Sequence, residues 1–157
     1  MTDNPGDVLL AALALSAEDD AIATKSTCDL PVHSYSKRMD SMVVQLGYQL
    51  DADGLDLSDH RAAIDYVTSF LYETMGYSVA AKPLELYSPY RIYMHRVLAQ
   101  RCGTPEAISI VLCSLLQRAV AAGLLAPFEI QVGIPAPGNP PLLRRSGTQD
   151  HADADVT

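Results

Sequence analysis

The chain has 157 residues, a net charge of −8, and 48% hydrophobic against 19% charged residues. That length suits one domain with a real core, and the hydrophobic share argues against a disordered chain. The acidity argues against a general phosphate-binding surface, nucleic acid included, and no apolar run reaches the ~20 residues of a membrane span.

In chain order, Asn4-Pro5 fits an N-cap followed by a first-turn proline, and Val8, Leu9, Ala12 and Leu13 then recur at helical spacing. This first helix is expected to fade between Glu18 and Ala23, before a polar connection from Lys25 to Pro31. A second helix starts near Ser34, with Met39, Met42, Val43, Leu46 and Leu50 on its apolar face; Gly47 weakens it by roughly 1 kcal/mol relative to alanine. Asp51 to Asp59 reads as an acidic turn. Ser58 is the expected cap of a third helix, whose core face is Ile64, Val67, Phe70, Leu71 and Met75 and whose stop is Gly76. A loop runs from Tyr77 to Leu86. Ser88-Pro89 opens a fourth helix with Tyr90, Met94, Val97 and Leu98 inward, and Gly103 ends it.

The fifth helix carries the clearest signal. Thr104 caps it, Pro105 takes the first turn and Glu106 favours the positive end of the helix dipole. Ile108, Val111, Leu112, Leu115, Leu116 and Ala119 make a broad apolar stripe up to Gly123, which marks this helix as the centre of the core. Phe128 to Val132 alternates with period two, as a strand does. The prolines at 135, 137, 140 and 141 then oppose regular pairing, and Arg144 to Thr157 reads as a polar, disordered tail. The expected fold is mainly α, with α+β as the alternative: about five packed helices and one short C-terminal strand. A single domain is expected over residues 4–134, with residues 135–157 as a Pro-rich segment and tail.

Neither metal nor cofactor is expected. Asp51, Asp53, Asp56 and Asp59 invite a calcium reading, but an EF-hand needs glycine at loop position six and glutamate at twelve. Counted from Asp51, the glycine falls at position four and Ala62 at position twelve. His33, His60 and His95 lack ligand spacing, and no glycine cluster forms a phosphate loop. Cys28, Cys102 and Cys113 form no even disulfide framework and no close metal-ligand pair. They read as reduced thiols in the cytoplasm or another reducing intracellular compartment, an organelle reached after removal of a preceding transit peptide included. Cys113 lies by the apolar stripe and reads as a core residue.

Arg91, His95, Arg96 and Arg101 cluster with Tyr87, Tyr90 and Tyr93. A spacing of three places the tyrosines on one helical stripe. The alternatives are a half-buried helix whose arginines pair with the abundant acids, or a protein-binding face, for which Tyr90, Arg91, Tyr93 and Arg96 are the candidates.

Phe70-Leu-Tyr-Glu-Thr-Met-Gly-Tyr77, Tyr87-Ser-Pro-Tyr90, Val97-Leu-Ala-Gln-Arg-Cys-Gly-Thr-Pro105 and Val132-Gly-Ile-Pro135 resemble the transglutaminase-like domain of the bacterial SirB type. Active members of that superfamily place a cysteine at a helix N-terminus, where the dipole and free N–H groups stabilise a thiolate, with a histidine on a following strand as base. The resemblance puts Pro105 in the cysteine's place. It puts Pro137-Gly-Asn-Pro-Pro141 where the histidine is due; the one later histidine, His151, lies in the polar tail. It therefore implies ancestry without the chemistry: a non-catalytic domain that acts through a protein partner. One alternative is a cysteine-dependent hydrolase or acyltransferase using Cys102 beside Arg101, although Cys102 also reads as a small residue packed at a turn. The other is a truncated fragment without independent function, whose core would stand open where later strands belong.

Overall fold

The computed structural model describes residues 7–132 and 143–145. Its helices are α1 (Val8–Thr24), α2 (Val32–Asp53), α3 (His60–Ser69), α4 (Pro89–Ile92), α5 (Met94–Gln100) and α6 (Pro105–Ala121), and α3 runs on into a π-helical turn over Phe70–Thr74. The strands are β1 (Ser78–Val79), β2 (Cys102–Gly103), β3 (Ile130–Val132) and β4 (Leu143–Arg145). The fold is mainly α, as the sequence implies. The strand expected within Phe128–Val132 is present as β3, paired antiparallel with β4, and a further short ladder joins β1 to β2 in parallel.

α6 is the centre. Ile108, Val111, Leu112, Leu115, Leu116 and Ala119 are all buried, and the helix packs against α1, α2, α3 and α5. A 17-residue helix this apolar is stable only when most of its circumference is covered. The stripe of α2 meets it with Met39, Met42, Val43, Leu46 and Leu50, every one buried. Gly47 has a packing role: a Cβ there would lie 3.3 Å from Leu124 Cδ2. Leu9 and Leu13 of α1 are fully buried in the same core.

Several boundaries differ from expectation, each for a local reason. α1 is capped by Asp7, whose Oδ1 accepts the Leu9 and Leu10 N–H groups at 3.0 and 3.2 Å; Asn4-Pro5 lies outside the described residues. α2 starts at Val32, two residues before Ser34, and takes in Asp51 to Asp53 of the acidic turn before Gly54 caps it at φ +61°. Asp59, not Ser58, caps α3, because its extended backbone lets the carboxylate accept from Arg61 and Ala62. Ile64 is only half-buried, while Val67, Phe70, Leu71 and Met75 are in the core.

The fourth helix is broken. Tyr93 is extended (φ −66°, ψ 122°) and divides α4 from α5. The next amide, that of Met94, donates instead to Ser16 Oγ of α1 at 3.0 Å. Tyr90 and Tyr93 therefore share no helical stripe, and Tyr90 points to solvent rather than to the core, 52% exposed. α5 ends on Arg101 in the left-handed region at φ +56°. The expected Tyr77 to Leu86 loop includes β1, where the Ser78 N–H donates to the Arg101 carbonyl and the Ala80 N–H to the Gly103 carbonyl. At the other end, β3 pairs with β4 in the register Ile130↔Arg145, Gln131↔Arg144 and Val132↔Leu143. Arg144 and Arg145 thus belong to a strand rather than to a disordered tail. The expected domain boundary after residue 134 lies outside the described residues, and this ladder joins the two sides of it.

Candidate functional site

The place of greatest chemical interest is the start of α6. Thr104 is buried and its Oγ1 accepts the Ala107 N–H at 3.3 Å, while its own N–H donates to the Arg91 carbonyl at 2.9 Å. Pro105 occupies the first helical position and has no N–H to offer. Gly103 is hemmed in just before it: a Cβ would lie 2.9 Å from both methyl groups of Val97 and 3.2 Å from the Arg91 carbonyl oxygen. The free amides that would greet an anion at a helix start are thus reduced by one proline and one internal cap.

Cys102 lies on β2, opposite Ser78 and before the helix rather than on it. It is half-exposed, and no hydrogen bond of the described residues joins it to a histidine. Cys113 is buried, its thiol 3.9 Å from the Ile130 carbonyl oxygen. His60 stacks on Phe128 with ring centroids 4.8 Å apart. His151 lies outside the described residues.

The basic and aromatic cluster is bound largely to the protein itself. Asp20, at the end of α1, accepts from Arg96 at 3.2 Å and lies 3.0 Å from His95 Nε2. The Tyr93 hydroxyl donates to Asp19 at 2.5 Å, and the Tyr93 ring stacks on the buried His95. That hydrogen bond is the largest influence holding the Tyr93 phenol above its ordinary range, with desolvation and the Asp19 and Asp20 charges adding to it. The Arg96 guanidinium lies 4.4 Å from the Tyr90 ring centroid, and Arg91 donates to Gln100 at 3.0 Å.

Of the four residues singled out for a partner, Tyr93 and Arg96 serve to hold α1 against α5. Tyr90 keeps an exposed face, backed by Arg96. The sequence reading missed Ser16, Asp19 and Asp20, the α1 residues that organise this cluster. Their signal was an acidic run read only as the fading end of a helix. Among the described residues there is no group of three or more His, Cys, Asp or Glu side chains placed to hold a metal ion, and no helix is long and apolar enough to cross a membrane.

A model of the transglutaminase-like superfamily matches residues 33–124, from the start of α2 to just beyond α6. No curated protein and no solved structure matches the chain.

Proposed function

This chain belongs to the transglutaminase-like superfamily, and from that premise we propose that it is a non-catalytic, SirB-type member that acts by binding a protein partner in a reducing intracellular compartment. The observation that carries this reading is Pro105 at the first position of α6. Acyl transfer by this superfamily's chemistry needs a thiolate at that point and a base within hydrogen-bond reach. Proline offers neither a nucleophile nor an amide donor. Cys102 is set back on β2 and, among the described residues, has no histidine partner. The partner face centres on Tyr90 and Arg91, with Arg96 stacked beneath Tyr90. The Tyr93 and Arg96 contacts to α1 keep this region in one shape, which lowers the ordering cost of association.

Two measurements test the reading. Amine incorporation and peptide hydrolysis should both stay at background. Activity that disappears in Cys102→Ser would replace this function with the cysteine-dependent alternative. Affinity for a captured partner should fall in Tyr90→Ala/Arg91→Ala with the helical signal retained; an unchanged affinity would move the interface elsewhere.

A further inference from the structure

A cleft of about 290 Å³ opens between α2, α5 and the segment that follows the π-helical turn. Its floor is apolar and buried: Met42, Met75 and Leu98, with Tyr77 beside them. Two guanidinium groups, Arg38 and Arg101, also line it. In a chain with 19 acidic and 11 basic residues, arginines ordinarily find carboxylates, as Arg96 and Arg118 do. Arg38 and Arg101 enter no ion pair among the described residues.

Both are held by neutral groups instead. The Arg101 Nη1 donates to the Met75 carbonyl at 2.7 Å, and the Arg38 guanidinium lies 5.0 Å from the Tyr35 ring centroid. A guanidinium has five N–H donors, so most of those on each arginine remain for a ligand. The Tyr77 hydroxyl adds a third donor. Its acceptor is the Met42 sulfur at 3.8 Å, a weak one. Tyr77 and both arginines line the same cleft.

We propose that this cleft binds a small organic carboxylate: its oxyanion between Arg38 and Arg101, its short apolar body against Met42, Met75 and Leu98. A planar fork matches a carboxylate with two parallel hydrogen bonds. An apolar floor beneath a few convergent polar groups is the usual build of a small-molecule site, and the volume stands at the small end of that class. A bare inorganic anion would leave the floor uncovered. This inference stands independently of the partner-binding reading, since none of these residues belongs to the Tyr90 and Arg91 face.

The test is amide-shift NMR on the whole chain, titrated with sodium butyrate, butyramide and sodium phosphate. Butyrate should give saturable shifts at Met42, Tyr77 and Leu98, with butyramide and phosphate each weaker by roughly tenfold or more. Arg38→Gln, on an exposed position of α2, should weaken butyrate by about the same factor while leaving the fold intact. Arg101→Gln should do likewise; because Arg101 also holds Met75, the Arg38 variant decides if that protein does not fold. Shifts that never saturate, equal binding of butyramide, or unchanged affinity in Arg38→Gln would overturn the site. Phosphate binding as tightly as butyrate would overturn the carboxylate class.

Discussion

Gly103 and Tyr77 show how much single positions decide here. At Gly103 an alanine Cβ would sit 2.9 Å from Val97 and 3.2 Å from the Arg91 carbonyl oxygen, and that backbone atom cannot swing aside. Gly103→Ala should destabilise the protein by about 1–3 kcal/mol, read as a lower urea midpoint with an unchanged slope. Tyr77 is buried, and burial is the main reason its phenol is held above its ordinary 10.0, against the opposing charges of Arg101 and Arg38. The stability this contributes is fully present below pH 10.0, the unfolded value, and is lost as pH rises through the folded one. Tyr77→Phe should therefore flatten the alkaline limb of a stability–pH curve. A limb as steep as that of the wild type would show that other groups set it. Caps were legible in kind but not in position: Ser58 and Asp59 are both good capping types, and only the backbone angles choose between them. Asp59→Ala should cost about 1 kcal/mol and Ser58→Ala much less, in paired thermal melts.

At the level of elements, periodicity did most of the work. The stripes of α2 and α6 could be read residue by residue because a buried helical face repeats every three to four residues whatever it packs on. Leu116 is fully buried on that stripe and Leu112 is 8% exposed. Leu116→Ala should cost about 2–5 kcal/mol and Leu112→Ala should fall nearer the lower end. Denaturant melts giving less than ~0.5 kcal/mol for Leu116→Ala would remove α6 from the centre of the fold. The break at Tyr93 was not legible, since the residues around it, Ile92-Tyr93-Met94, contain no glycine or proline. A serine 78 positions away supplies the hydrogen bond that makes the break tolerable. The β1–β2 ladder has two residues per strand, too few for any alternation to register. β4 was hidden because a strand's partner is named by tertiary pairing, and Leu143-Arg144-Arg145 carries no pattern of its own.

Across the whole molecule, two side-chain systems fasten α1 to the rest. One is the Asp19 and Asp20 cluster with Tyr93, His95 and Arg96. The other is Arg118 of α6, which donates to Asp7 at 2.7 Å, to Asp40 at 2.5 Å and to Ser36 Oγ at 2.9 Å. The Arg118 and Asp7 side chains are only 15% and 17% exposed, so removing one strands the other. Arg118→Ala should cost about 2 kcal/mol or more, and hydrogen exchange should show α1 loosening more than α3. Equal loss of protection in both helices would mean that Arg118 supports the fold at large rather than α1. The family was legible in sequence because the matched stretch from residue 33 to residue 124 holds the helix stops and starts that resemblance can quote. The contents of the cleft beside Arg38 were not, because its lining is drawn from separate segments between residues 38 and 101.

Asp7 and Arg118 are 111 residues apart in the chain. On a ribosome adding roughly 5–20 residues per second, the arginine follows its carboxylate by about 6–22 s. α1 emerges before α6, one of the helices it packs against together with α2 and α5, and Leu9 and Leu13 lie on its inner side. Until α6 is made, these leucines lack part of their native cover, so helpers that shield apolar surface on a nascent chain bear on the yield of folded protein.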